Sequence, residues 1–322
     1  MSRILTGDKM VESVRKRTMT PDDTSIFTDQ DILDIIDEEI DAEVLEKLIV
    51  LHGENLTIHK DFPKNSDESY DIPYRAVGNK LRDVSLVRNN SVYELSQVSV
   101  GELPDYSYIS DGSGFIDNFY VQNNKIKLIK NTRSYDSIRM YFYLRPNTLT
   151  KLEEAGIISA IVVDENAGTV TFSLSQVGKN FASNLDYDII GKRSPNKIHG
   201  YDLLPISVTT GTSGNIVFNK TDIDPFLSDI TTGDYVTLAE QTPVPNMPTE
   251  MHPIIAQAAA INILESLSDT EALTNAQKRM MKMTSAIQTL IDDRVELAPK
   301  KIKPRHGTLS NAIGIRKNGG RY

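Results

Sequence analysis

The chain has 322 residues, of which 39% are hydrophobic and 25% charged, and its formal net charge is −9. This length and composition are typical of a globular protein with one large domain or two to three small ones. The acidic balance argues against non-specific coating of nucleic acid, and the absence of Cys excludes disulfides and thiolate chemistry, as fits assembly in a reducing cytoplasm.

The first quarter of the chain predicts helices. Leu5, Met10, Val14 and Arg17 fall on one face of a short first helix, which ends before Pro21. Thr28 is the predicted N-cap of a second helix, with Asp31 at the N3 position. Apolar residues recur at helical spacing from residue 32 to residue 49, which predicts a long amphipathic helix. Its opposite face is acidic and carries Asp34, Asp37, Glu38, Asp41, Glu43 and Glu46.

The hydrophobic period changes towards two from about residue 55, which predicts strands. Asn123 and Asn124 lie between two of these strands and predict the tip of a hairpin. Further strands follow in a second β-rich stretch, divided by Gly and Asn turns. The predicted strands cover residues 56–62, 92–95, 119–121, 126–129, 138–144, 157–163, 169–174, 206–210, 216–218 and 235–238.

The last third of the chain becomes helical again after a proline-rich connector at residues 243–248. One helix is predicted from Thr249 to about residue 267 and a second from about residue 271 to 297, joined as an antiparallel hairpin. Residues 298–322 contain no acidic residue and few large apolar ones, so they predict an extended basic arm that becomes ordered on a partner. The cations of this arm are Lys300, Lys301, Lys303, Arg305, Arg316, Lys317 and Arg321.

The predicted fold class is α+β, with a helical bundle built from the N- and C-terminal helices, inserted β-rich modules and an extended C-terminal arm. Because the apolar faces of the C-terminal hairpin need a partner, the N-terminal helix is the natural one. The predicted boundaries are 1–54 for the N-terminal helices, 55–146 for the β module, 147–242 for the second β-rich insert, 243–298 for the C-terminal hairpin and 299–322 for the arm.

Motifs give no reason to expect an enzyme, a metal or a cofactor. The chain has no phosphate-binding loop, dinucleotide fingerprint or nucleophile elbow. No two of the five His residues lie three to five residues apart, as helical zinc sites require. The segment 164–168 fits a hairpin turn better than a calcium loop. We expect neither a signal peptide nor a membrane span.

Three surfaces leave alternatives open. The acidic helix face fits a solvated surface or one that meets a basic partner better than a metal site, because its carboxylates lie on one helix. The basic arm is interpreted as docking into another protein, with a solubility tail and DNA contact as the weaker alternatives. The aromatic residues around the strand at 138–144 fit a core or an interface better than a carbohydrate platform: Tyr135, Tyr141, Phe142 and Tyr143.

Several segments occur in a familiar order. They are LTGDKMVESVRKRTMTPDD, IFTDQDILDIIDEEI, YDIPYRAVGNKLRDVSLV, FYVQNNKIKLI, SIRMYFYLRP, TPVPNMPTEMHPIIAQAAAINILESLSD and DDRVELAPKKI. In this order the chain resembles the head-to-tail adaptor (connector) proteins of short-tailed phages. The resemblance covers most of the chain, is weakest at residues 150–235, and consists of packing and turn signatures.

The resemblance implies a structural virion protein that forms a ring of twelve copies under the portal protein, with the C-terminal arm reaching onto the portal. It implies tail nozzle or tail fibre proteins as further partners, and double-stranded DNA passing through the lumen without sequence specificity. The expected location is the neck or tail of the virion, after assembly in the host cytoplasm. Asp34, Asp37, Glu38 and Asp41 would face the lumen, where they repel phosphate, or a subunit interface.

Two other functions stay open. One is a tail nozzle or lower neck ring protein, which would bind tail components rather than the portal. The other is a glycan- or receptor-binding virion module that uses residues 147–242.

Overall fold

The computed structural model describes residues 5–20, 26–52, 56–89, 91–102, 118–129, 135–193, 197–209, 211 and 213–290. The helices are α1 (Gly7–Thr18), α2 (Asp29–Glu39), α3 (Leu45–His52), α4 (Lys220–Ile223), α5 (His252–Ser266) and α6 (Thr270–Leu290), with a π-helix at Ile40–Val44. The strands are β1 (Thr57–Pro63), β2 (Ser69–Asp71), β3 (Ala76–Arg88), β4 (Ser91–Glu94), β5 (Ser96–Gln97), β6 (Asn118–Gln122), β7 (Lys125–Leu128), β8 (Ser137–Leu144), β9 (Thr148–Leu149), β10 (Gly156–Asp164), β11 (Thr169–Gln176), β12 (Tyr187–Ile190), β13 (Ile198–Leu203), β14 (Ser207–Val208), β15 (Gly214–Asn219), β16 (Tyr235–Leu238) and β17 (Gln241–Thr242). The α+β class is confirmed.

The start of α2 has the predicted cap. The Thr28 hydroxyl accepts a hydrogen bond from the backbone N–H of Asp31, at 3.1 Å, and the Thr28 N–H donates to the Asp31 carboxylate, at 2.7 Å. This reciprocal pair satisfies two backbone donors that the first turn of a helix otherwise leaves unpaired. The predicted N-cap is therefore confirmed.

The predicted amphipathic helix is interrupted by the π-helix between α2 and α3. Its core residues repeat every four positions: Ile32, Ile36, Ile40, Val44 and Leu48. In a regular α-helix such residues drift by about 40° per step, because each residue turns the chain by about 100°. The wider π-turn compensates for this drift. All five side chains are at most 3% exposed.

The helices from both ends of the described chain share one apolar core. Helix α5 lies at its centre, and α1, α2 and α6 pack against it. Because α5 is buried on most of its surface, its sequence is apolar on all sides. The core also includes Met247 of the connector and Leu149 of β9.

Two four-stranded sheets form the first β unit, in the orders β1-β8-β3-β4 and β2-β7-β6-β5. Side chains from both sheets enter one core, and β8 alternates strictly between partly exposed and buried residues. The predicted hairpin is confirmed by β6 and β7, with Asn123 and Asn124 at φ 52° and 60°. The long strand β3 was not predicted from its period, because it bulges at Gly78 and Asn79, where φ is also positive.

The second β unit is a seven-stranded antiparallel sheet in the order β13-β12-β16-β10-β11-β15-β14. Its core contains Phe172, Tyr187 and Phe218, whose rings meet edge to face. The predicted turn at 164–168 is confirmed: the Asp164 carboxylate accepts hydrogen bonds from the N–H groups of Asn166 and Ala167, both at 3.0 Å.

The connector joins the helices to the β units through close backbone contacts. Strands β9 and β17 pair in parallel, and the Gly7 N–H donates to the carbonyl oxygen of Pro243 at 2.8 Å. A Cβ at Gly7 would collide with the carbonyl oxygen of Thr150. Helix α5 begins at His252, later than predicted, because Met251 N–H closes a turn onto Pro248 at 2.8 Å. The predicted domain boundaries stay predictions.

Candidate functional site

The acidic surface consists of Asp34, Glu38 and Asp41, which are exposed along α2 and the first turn of the π-helix. They lie at positions i, i+4 and i+7, so they follow one side of the helical segment. None of the three forms an ion pair with another residue in the described part of the chain. Asp34 accepts one hydrogen bond, from the Gln30 amide at 2.8 Å. This surface therefore presents uncompensated negative charge.

Asp37 does not belong to this exposed surface, although the sequence placed it there. Its carboxylate is partly buried and accepts hydrogen bonds from the backbone N–H of Leu149, at 2.9 and 3.0 Å. Burial raises the pKa of Asp37 to about 7, and the nearby charges of Asp34 and Asp41 act in the same direction. Asp37 connects α2 to β9, so its carboxylate is already occupied within the chain.

The predicted docking arm lies outside the described residues, and with it Lys300, Lys301, Lys303, Arg305, Arg316, Lys317 and Arg321. The last described residues belong to α6, which ends at Leu290. The described residues therefore include the acidic helix face but not the basic arm. The role of the arm stays a prediction.

A buried charged cluster centred on Asp188 joins the two β units, and no pattern in the sequence predicts it. The Asp188 carboxylate is completely buried and accepts hydrogen bonds from four different segments of the chain. The donors are the Arg75 guanidinium at 2.9 Å, the Asn147 amide at 2.6 Å, and the backbone N–H groups of Asp202 at 2.9 Å and Glu240 at 3.1 Å.

Arg75 occupies the other half of this cluster. It also donates to the Asp202 carboxylate at 3.1 Å and to the side-chain oxygen of Asn147. Although burial alone would lower the pKa of Arg75, the carboxylates of Asp188 and Asp202 raise it. Asp202 and Glu240 both have left-handed backbones, with φ at 53° and 64°. Such strained positions persist only where surrounding contacts hold them.

The described histidines have structural environments. His252 is fully buried. Its Nδ1 accepts a hydrogen bond from the Leu5 N–H, and its Nε2 lies 3.3 Å from the Met247 carbonyl oxygen. The neutral ring therefore carries its proton on Nε2, which donates to that carbonyl. Burial lowers its pKa, which favours this neutral form. Burial also lowers the pKa of His199, whose ring lies 4.0 Å from Asp234. His59 packs against the Tyr141 ring. His306 and the side chain of His52 lie outside the described part.

The predicted aromatic strand contributes mainly to the core. Phe142 is completely buried, and Tyr135 is 5% exposed with its hydroxyl 2.9 Å from that of Tyr70. Tyr141 and Tyr143, on the other face of β8, are partly exposed.

Within the described ranges, no group of three or more His, Asp or Glu side chains is arranged to hold a metal ion. Among the helices that the structure describes, none is long and apolar enough to cross a membrane.

A scan against models of protein families finds no match for this chain, and a search of curated proteins finds no similar sequence.

Proposed function

We propose that the chain is a structural virion protein of a tailed phage, an adaptor whose copies form a ring between the portal of the head and the tail. In this proposal the helices of both chain ends constitute a bundle that forms the wall of the ring. The β units project from this wall, and residues 299–322 dock onto the portal. The DNA passes through the lumen.

The observation that supports this proposal best is the core shared by α1, α2, α5 and α6. The chain leaves this core after α3, builds two β units and returns to it at α5. One helical body therefore carries both β units, and α6 leads from it directly towards the basic segment. This arrangement suits an adaptor, which must hold its neighbours through one body and reach other proteins with its extensions.

The charges of the chain suit a DNA conduit. A formal net charge of −9 per copy repels phosphate, so DNA would slide through a ring without adhering to it. The cations of residues 298–322 are concentrated at one end of the sequence, where they can bind an acidic portal surface. Arms repeated around a ring multiply a weak individual affinity into stable attachment.

The test is assembly with the portal protein of the same phage. We expect the full chain mixed with portal to give stacked rings in negative-stain images and a co-sedimenting complex. A chain that ends at residue 298 should remain folded by circular dichroism but fail to join the portal. As a matched control, a full-length variant with Gln in place of the seven arm cations separates the charge of the arm from its length.

The outcomes distinguish the alternatives. Normal docking of the truncated chain would overturn the docking role of the arm. Rings that attach only to tail components would favour a nozzle or lower neck protein. Glycan binding by the full chain, lost when exposed residues of the second β unit are changed, would favour the receptor-binding module.

A further inference from the structure

An open groove lies between α1 and α6, with α5 as its floor. Its volume is about 790 Å³. Helix α1 contributes Ser13 and Arg17, α5 contributes the buried Gln257, and α6 contributes Asn275 and Arg279. Two helices that flank a floor of this kind leave space for a third helix, as in other complexes where a helix binds a groove.

Arg17 and Arg279 are the two arginines that line this groove. Arg17 donates to two neutral groups, the Gln257 side-chain oxygen at 2.6 Å and the Ser13 hydroxyl at 3.4 Å. No carboxylate in the described part of the chain lies within 4 Å of either guanidinium. Burial lowers the pKa of Arg17, and the charge of Arg279 lowers it further. Two cations facing the same space would be stabilised by an anion placed between them.

Three other charged side chains line the groove: Lys16, Asp269 and Glu271. Lys16 forms an ion pair with Glu12, one turn away on α1. The Asp269 carboxylate accepts from the Ala272 N–H at 3.0 Å and so caps the start of α6. Glu271 is exposed and would repel an incoming carboxylate, so the attraction must come from Arg17 and Arg279.

We propose that this groove binds the acidic surface, Asp34, Glu38 and Asp41, of a second copy of the chain. The acidic surface is helical and exposed, and its carboxylates would meet the two guanidinium groups of the groove that have no ion pair in the described part of the chain. No residue of α2 or the π-helix lines the groove. The contact therefore joins two different surfaces, and contacts of this heterologous kind generate rings when the rotation closes. The inference deepens the ring proposal, on which it rests, by naming the subunit contact.

The chain contains no Cys, which permits a direct test by disulfide formation. One variant carries Ala42→Cys, one helical turn beyond Glu38, and the other carries Asn275→Cys at the groove. Both positions are exposed, so neither change disturbs the core. The two full-length variants are mixed under mild oxidation, at high concentration and also on the portal. We expect a heterodimer that forms at least about tenfold faster than in a control mixture of Ala42→Cys with Ser66→Cys.

Charge reversal tests whether the groove cations make the contact. Arg279→Glu, added to the Asn275→Cys variant, should lower the crosslinking rate about tenfold, and Glu38→Lys in the other variant should restore it. Arg279 is exposed, so this change leaves the fold intact, which circular dichroism checks. Crosslinking no faster than the control, or unaffected by Arg279→Glu, overturns the inference.

Two further results are informative. Portal docking without the crosslink would support the adaptor proposal and overturn this subunit contact. The crosslink without portal docking would support the subunit contact and overturn the adaptor proposal. Binding of a short DNA duplex by the wild-type chain, lost in Arg279→Glu, would show that the groove binds phosphate instead and would overturn the inference.

Discussion

The junction between the two β units and the junction between α2 and β9 each depend on an aspartate, but the two carboxylates have different numbers of hydrogen-bond donors. Asp188 is completely buried, but a guanidinium and three N–H donors surround it. Asp37 is only partly buried, and the structure gives its carboxylate a single backbone donor, from Leu149. The more buried carboxylate is thus the better compensated one.

The comparison teaches that burial alone does not decide how a charge behaves. Burial raises the pKa of both carboxylates, and the hydrogen-bond donors of each oppose this shift. At Asp188 the Arg75 guanidinium opposes it as well, so we expect the β junction to depend on these side chains. The helix junction should depend on pH and on close backbone contact.

The largest effect is expected from Arg75→Ala. The change leaves Asp188 buried without its cation, which costs about 3–5 kcal/mol of the free energy of unfolding. Urea unfolding measures this loss. A double variant, Arg75→Met with Asp188→Leu, should recover part of it, because it removes both charges together. A loss below 1 kcal/mol for Arg75→Ala would mean that water reaches this cluster.

The next effect is expected from Gly7→Ala, at the helix junction. The new Cβ meets the carbonyl oxygen of Thr150, so α1 must move away from the residue that follows β9. We expect a loss of about 1–3 kcal/mol, typical of overpacking. Gly168→Ala is not a suitable control, because φ is +64° there, but Lys9→Ala at an exposed position of α1 is. Equal stability of Gly7→Ala and Lys9→Ala would show that α1 and Thr150 are not in close contact.

Asp37→Asn should change the pH dependence of stability. With a folded pKa of about 7, raised from 3.8, the native state binds a proton more tightly than the unfolded chain does. The wild-type protein therefore loses stability as pH rises from about 4 to about 7, and the variant lacks this loss. Above pH 7 the variant should be more stable by about 1–2 kcal/mol, less than a fully buried group would give. Thermal unfolding at pH 4.5 and pH 8 checks this, with Glu46→Gln, at an exposed position of α3, as the control.

The smallest effect is expected from Asp61→Asn. Arg139 donates from two nitrogens to the two oxygens of Asp61, at 2.7 and 2.8 Å, and this pair is more exposed than that of Arg75 and Asp188. Solvent screening limits the loss to about 0.2–1 kcal/mol. A loss as large as that of Arg75→Ala would mean that burial does not determine how much each pair contributes to the free energy of unfolding.

Local signals in the sequence predicted the elements well. The Thr28 cap, the Asn123-Asn124 turn and the alternation of β8 each depend on residues close in sequence. The π-helix was missed because apolar residues spaced by four and by 3.6 residues both indicate a helix. The sequence analysis treated the segment as one regular α-helix, and this approximation also placed Asp37 on the exposed face.

Features made by distant residues could not be predicted. Arg75 and Asp188 are 113 positions apart, and nothing near either of them indicates the other. The groove exists only because α1 and α6 pack against the same helix, and the sequence singled out neither Arg17 as unpaired nor Arg279 as its neighbour. Burial and charge compensation are properties of the folded chain, and periodicity does not report them.

The shared helical core also has a consequence for synthesis. The Leu5 N–H and the His252 ring that binds it are separated by 247 positions. During translation the N-terminal helices are complete long before α5 leaves the ribosome. Their apolar faces therefore have no packing partner until most of the chain has been made. Contacts between residues so far apart in sequence slow folding, and the apolar helix faces can aggregate while they are exposed. The two β units, whose partners lie closer in sequence, can fold during this delay and bring the two ends together.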